Sequence, residues 1–450
     1  MAAGRAAGLA RAVGDGQLVA RAEGVRGSAL LVMGRFDEGL PALEESVRGA
    51  EAAGDLITLT RGLNNVATLH FFAGRFTQAA PYRERALVAG ERLGDPAYHA
   101  FVIGSRGQLA FYSGDWGQAR DDVERAVAMG RQVEASWILM FMLLILGEIR
   151  LAEGAWDEAA LHLEEGVAFA ERSGDLRMRR WINGLLAERE LLAERPDAAR
   201  ARLDPLLDRP GMEEWYVNML LPRLAWAHLD LGDVTLAAET AARGVVRARD
   251  QNNRFVLVDA LRVQAMALLA RGCSDEAART VEDGLALARH MPYPYAEARL
   301  LSVDAARHSA QGEAGAARER LEQALAIFGR LGARHEIARV EGALERARGL
   351  WSDRREAAVS DAQWARIAAL LPSPARTGRR RADERRTLEA ILYVQRTGRA
   401  WADLPPALGD DATAHRRLAE WRAAGLWPRI EAIVQDSAET NAPGAAVFPR

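Results

Sequence analysis

The chain has 450 residues, 49% of them hydrophobic and 6% aromatic, enough to bury a large core and too long for one compact domain. Its net charge of -3 gives no general attraction to nucleic acid or acidic membranes. All 59 basic residues are arginine, which excludes a P-loop lysine, a Schiff base and a lysine general base.

Cys273 is the one cysteine, so neither an internal disulfide nor a thiolate metal cluster can form; it reads as a bland turn residue. The N-terminus, Met1-Ala-Ala-Gly-Arg5, lacks an apolar segment of the secretory kind. The longest apolar run, Trp137 to Leu146, is roughly half of a membrane span. It predicts a helix buried on all sides, with a dimer contact as the alternative. A soluble, cytoplasmic protein is expected.

Along the first 350 residues, glycines recur every forty: Gly34, Gly74, Gly114 and Gly154, then Gly232, Gly272 and Gly312. Glu194 stands in the gap. Half a period away runs a second marker, Gly14-Asp15, Gly54-Asp55, Gly94-Asp95 and Gly174-Asp175. Forty residues fit two helices and two short turns, so the period predicts a stacked helical repeat. Two residues after the first four glycines comes a large aromatic, Phe36, Phe76, Trp116 or Trp156, a plug over the inter-helix turn. The fifth position is always small: Gly39, Ala79, Ala119, Ala159, Ala199, Ala237, Ala277 and Ala317. A second small residue seven further on continues the pattern from Ser46 to Ala324 and breaks only at Leu206. Small residues seven apart share one helical face, where a neighbouring helix can approach closely.

"Gly-Arg-Phe-Asp-Glu-Gly" at 34 and "Gly-Ala-Trp-Asp-Glu-Ala" at 154 resemble the tetratricopeptide repeat, although the period exceeds the usual one of about 34. The longer unit resembles the superhelical middle region of large ATP-dependent LuxR-type bacterial transcriptional regulators, over about residues 1 to 350. The expected fold is an all-α solenoid of about eight helix-turn-helix repeats. The first repeat is truncated, because Gly14-Asp15 is in register with Gly54-Asp55 and so residues 1 to 13 read as the tail of an earlier unit. Pro196, Pro205 and Pro210 are expected to shorten one second helix and bend the superhelix. Asn64 and Asn65 are candidates to face the concave groove and hold a peptide backbone; their bland reading is polar helix surface.

After Gly332 the period stops. Residues 351–358 read as a charged linker, 359–434 as a small helical domain, and 435–450 as a disordered tail. Between 351 and 435 stand fifteen arginines against eleven acids, so this part is basic and the rest acidic. Three helices are expected: about Glu384 to Arg396, a short one from Trp401 to Leu404, and a last one from about Ala412 to Ala423. A short helix, a turn and a final arginine-bearing helix suit a helix-turn-helix entering the major groove. His415, Arg416, Arg417 and Arg422 are candidates to reach bases or phosphates, with Arg379, Arg380 and Arg381 along the backbone. The bland alternative is a solvated arginine face.

"Ser-Asp-x-Gln-Trp" at 360, "Leu-Leu-Pro" at 370, "Ile-Leu-Tyr-Val-x-Arg-Thr-Gly" at 391 and "Trp-x-Asp-Leu-Pro" at 401 closely resemble, in order and spacing, the N-terminal helix-turn-helix domain of insertion-sequence transposases. Against that family, Arg380 stands in place of a usual Pro, Asp411 in place of a Trp, and Ala419 and Glu420 in place of a basic pair. Each departure removes charge or packing from the presumed DNA-binding helix. The resemblance implies a catalytic domain, with three metal-holding carboxylates, beginning beyond residue 434, so no strand transfer is expected of this chain alone. No His-Glu-x-x-His, Gly-x-Ser-x-Gly or Gly-x-Gly-x-x-Gly motif occurs, and no cofactor or metal is expected. The expectation is a non-enzymatic protein-interaction scaffold of the transcriptional-regulator type, holding a protein or peptide in its groove and duplex DNA through residues 359–434. Its alternative is a fusion remnant of a regulator gene and a truncated, inactive insertion-sequence transposase.

Overall fold

The computed structural model describes residues 2–208, 214–357, 359–371, 383–397, 400–404 and 408–435, and all regular structure among them is helical. The chain divides into two compact units, 1–341 and 342–450. In the first, a helix Ala2–Ala12 precedes paired helices. The first members of the pairs are Gly16–Val32, Leu56–Phe72, Pro96–Ser113, Ser136–Ala152, Leu176–Leu192, Leu221–Asp230, Arg254–Ala270 and Pro294–Ala310, and the helix Arg334–Ala357, of which residues 334–341 belong to this unit, follows the last pair. The second members are Phe36–Ala53, Phe76–Leu93, Trp116–Gln132, Trp156–Ser173, Pro196–Leu203, Val234–Asp250, Ser274–His290 and Ala314–Leu331. Residues 351–357, expected as a linker, are helical and continue Arg334–Ala357.

Both periodic markers are helix punctuation. In Gly54-Asp55 the glycine closes one helix in the left-handed conformation (φ 68°), and Asp55 caps the next by accepting from the Thr58 N–H at 3.1 Å. Asp15 and Asp175 cap in the same way. Where the marker is missing, Asn252 takes the left-handed turn (φ 50°) and Asn253 caps Val256 at 3.1 Å, since asparagine tolerates both roles. Glu194 also turns left-handed (φ 57°).

Every small residue of the fifth-position series is buried. The aromatic plugs seal the turns: Phe76 stacks on Phe71 at 5.2 Å, and Trp116 donates from Nε1 to the Phe111 carbonyl at 3.1 Å. The proline-rich unit is shortened as expected, to eight helical residues (Pro196–Leu203) and a 3-10 turn containing Pro205. Pro196 begins that helix, where its missing N–H costs nothing, and Pro210 lies outside the described residues.

Within this unit the superhelix closes on itself. The helix Arg254–Ala270 packs against Leu56–Phe72, and Pro294–Ala310 against Pro96–Ser113. Trp215 donates from its indole to the Val32 carbonyl, and Arg334 Nε donates to the Glu153 carbonyl at 3.1 Å. The glycine corners of the early repeats meet these later residues directly. A Cβ on Gly114 (φ 93°) would lie 2.7 Å from Pro294 Cγ, whereas one on Gly272 (φ 76°) would meet open space. An aromatic cluster fills the contact, with Phe71 and Tyr112 at 4.7 and 4.9 Å from Phe255, and Tyr112 at 5.3 Å from Tyr293.

The second unit has a single core that includes Ile367, Leu388, Ile391, Tyr393, Leu404, Leu418, Trp421, Trp427 and Ile430. Its helices Glu384–Thr397 and Asp411–Ala423 and the 3-10 turn Trp401–Asp403 lie where the sequence placed them. Two more helices, Asp361–Ala368 and Trp427–Gln435, complete the core. Ser360 and Gln363 form a reciprocal capping box at the first of these. Gln363 Nε2 then donates to the Val434 carbonyl at 3.2 Å, joining the two added helices.

Candidate functional site

The inner face of the solenoid is built by the first helices of successive repeats. Phe101, Phe141 and Trp181 occupy one register, forty residues apart, and with Phe72, Trp137 and Trp215 they line a cavity of about 270 Å³. The apolar run 137–146 is therefore not buried on all sides. Trp137 is 47% exposed and Phe141 half-buried, because one side of the helix Ser136–Ala152 faces this space. Asn64 and Asn65 both border the cavity. Asn64 is buried, and its Oδ1 accepts from buried Arg83, so its amide is committed to the fold. Asn65 is half-buried and donates to Ser28 Oγ at 2.8 Å.

Beside the aromatic cavity, sharing Trp181 and Met219 as walls, lies an ionic cluster. Glu188 accepts from Arg223 at 2.8 Å and from Arg299 at 2.9 Å, and Arg262 Nε donates to Asp259 at 2.8 Å. Arg262 and Arg299 also lie over the Trp226 ring at 5.0 and 5.7 Å. Burial raises the Glu188 carboxyl, but Arg223 and Arg299 outweigh it and hold the group below the ordinary carboxylate range. Asp259 is held down more strongly, with Arg262, Arg299 and Arg223 overcoming its burial.

Glu148 behaves in the opposite way. Burial pushes its carboxyl up to about 7, against a 2.5 Å hydrogen bond donated by Tyr112 and the attraction of Arg223. Caps and small residues do not mark this face in the sequence. A signal existed: Gln108, Glu148 and Glu188 share one register at forty-residue spacing, and so do Asp259, Arg299 and Arg339.

In the second unit, the helix Asp411–Ala423 turns Ala414, Leu418 and Trp421 to the core and leaves His415, Arg416 and Arg422 exposed. His415 meets the Trp401 ring edge-to-face at 5.2 Å. Arg417 is turned inward, donating to Glu420 at 2.6 Å and facing Glu384 at 3.8 Å, and Arg416 pairs with Glu420 at 4.0 Å. One acid thus partners two of the arginines expected to contact DNA. Arg379, Arg380 and Arg381 lie outside the described residues.

Residues 359–431 match the family described as "Putative transposase of IS4/5 family (DUF4096)". A stretch of 83 residues is 37% identical to the "Insertion element IS402 uncharacterized 16.2 kDa protein" of Burkholderia cepacia, covering 17% of this chain and 56% of that protein. A similar stretch is 35% identical to "Uncharacterized protein y4sN" of Sinorhizobium fredii (strain NBRC 101917 / NGR234), covering 18% of this chain and 66% of that protein. The chain therefore spans less than two thirds of either relative. Among solved structures, a Rap protein complexed with competence and sporulation factor superposes with a TM-score of 0.51 at 12% identity, over 74% of this chain and 99% of that one. The Rap conjugation gene regulator of plasmid pLS20, in complex with the Phr* peptide, gives 0.51 at 14% identity, over 66% and 79%. At these identities the likeness is one of fold. The chain joins a tetratricopeptide-like helical solenoid to a C-terminal segment similar to the IS4/5 transposase family.

Proposed function

We propose that the solenoid is a non-enzymatic scaffold of the bacterial transcriptional-regulator type, which binds a peptide segment on its inner face. The observation that carries this is the cavity of about 270 Å³ walled by Trp137, Phe141 and Trp181. A half-exposed tryptophan in a concave aromatic wall is a docking surface, since isolated exposed aromatics are common but a concave cluster of them is not. Of the two Rap structures of similar fold, one was solved in complex with a peptide and the other with competence and sporulation factor, which supports the same use of this fold here.

The test is binding of a fluorescent peptide library rich in aromatic and aliphatic residues to the full chain, followed by anisotropy. Saturable binding that weakens about tenfold or more in Trp137→Ala or Phe141→Ala is expected. Binding unchanged in both variants refutes the site.

The C-terminal segment supports a second reading. Glu420 neutralises part of the arginine face of the helix Asp411–Ala423, which favours a transposase-derived module with weakened DNA affinity, as in a fusion remnant. His415, Arg416 and Arg422 would carry what affinity is left. Gel-shift titration of the full chain against duplex DNA at low salt tests this. No shift, and no effect of Arg416→Ala with Arg422→Ala, removes the DNA-binding role.

A further inference from the structure

Two arginines of the ionic cluster on the inner face have donors to spare. Arg262 is 5% exposed, yet after Nε serves Asp259 its Nη1 donates only to the Met266 thioether at 3.2 Å, a weak acceptor. Arg299 serves Glu188 from Nη1 alone. Among the described residues, Nη2 of Arg262 and both Nε and Nη2 of Arg299 donate to no oxygen. Arg223, Arg262 and Arg299 thus face the ionised carboxylates Glu188 and Asp259, and buried Glu336, paired with Arg339 at 2.8 Å, also acts on Arg299 from the groove. The adjoining Glu148 sits near neutrality in its preference for the proton, under the influence of Tyr112, Arg223, Glu188 and Asp259. Spare guanidinium N–H donors of this kind can take a further acceptor.

The free donors lie where a ligand can reach them. Arg262 and Arg299 border both the narrow space beside Trp181, about 60 Å³, and a larger groove of about 640 Å³ floored by Leu192, Met266 and Val303. Trp181 and Met219 are walls common to the narrow space and the aromatic cavity.

We propose that Arg262 and Arg299 form the receptor for one acidic side chain of an extended peptide, whose apolar residues occupy the aromatic cavity and the groove on either side. Planar guanidinium groups with adjacent N–H donors match a carboxylate in two-point contact. Because space continues on both sides of the arginines, a passing chain presents a side chain to them, not a terminus. The inference rests on the reading of the solenoid as a peptide scaffold and adds the charge of its ligand.

Two pools of short labelled peptides, capped at both ends, test it. Both carry random aromatic and aliphatic flanks; one has a central glutamate and the other a central glutamine. Anisotropy titration of the full chain should show the glutamate pool binding about tenfold or more tightly. That preference should fall to near unity in Arg262→Gln and in Arg299→Gln. The ratio is taken on one protein, so partial loss of folded material in a variant cancels. Equal binding of both pools to the unmodified chain overturns the proposal while leaving the scaffold reading intact, provided Trp137→Ala weakens both. A preference that survives both arginine variants also overturns it. If neither pool binds, the scaffold reading and the proposal fall together.

Discussion

Replacing Glu148 by glutamine isolates the electrostatics of the inner face. The carboxyl is pushed by burial from its ordinary 4.5 up to about 7 in the folded chain. Each pH unit of such a shift corresponds to about 1.4 kcal/mol, so ionising this group in place costs at most about 3 kcal/mol. The folded state holds the proton more tightly than the unfolded state. Its stability is therefore unaffected by Glu148 below about pH 4.5, falls as the pH rises towards 7, and levels off above. Glutamine keeps an oxygen to accept from the Tyr112 hydroxyl and removes the titration. The assay is urea unfolding of both proteins by far-ultraviolet circular dichroism at steps from about pH 4.5 to about pH 8.5. The stability difference should grow in favour of Glu148→Gln by about 2 to 3 kcal/mol across that range and then plateau. A difference that is flat with pH, or that grows in the acid direction, refutes the assignment of Glu148 as a carboxyl held protonated by burial.

Three further outcomes are expected. Gly114→Ala should be more destabilising than Gly272→Ala by about 1 to 3 kcal/mol in urea unfolding, because both impose left-handed strain but only the first presses a Cβ against Pro294. Trp137→Ala should weaken peptide binding while lowering the thermal midpoint by only a few degrees, since the side chain is 47% exposed. Glu420→Arg should release Arg416 and strengthen duplex binding in gel shifts, with the salt dependence steepening by about one phosphate contact or more; unchanged affinity would show that this face does not meet DNA.

The repeat was legible because its constraints are local. A left-handed corner needs Gly or Asn, a helix start needs Asp or Asn, and a close helix pair needs a small residue, so each leaves a mark at a fixed position. The Asn252-Asn253 pair and Glu194 were harder to read only because they meet the same backbone demand with other residue types. In the second unit, the motif residues proved largely structural: Ser360 and Gln363 cap and tie helices, while Ile391 and Tyr393 fill the core. That is why the motif marks the fold well and says less about DNA. The helix Trp427–Gln435 is hard to read because its nine residues offer only about two and a half turns of pattern. The closure of the superhelix was not legible at all, since contacts such as Trp215 to Val32 join residues 183 apart and depend on the summed rotation of the intervening repeats.

The register that carries Glu148 and Glu188 places two carboxylates on neighbouring first helices, an arrangement that repels unless cations come between. One cation, Arg223, comes from the next first helix, and the other, Arg299, reaches Glu188 across 111 residues of sequence. The Arg299–Glu188 pair thus links repeats far apart in the chain at the place where the superhelix closes. Its arginine still has donors to spare, which is more than crosslinking requires. A variant of Arg299 should therefore loosen the closure as well as the ligand site, lowering affinity for every peptide, acidic or not. Only a change in the ratio between glutamate and glutamine peptides separates recognition of a carboxylate from support of the wall that carries it.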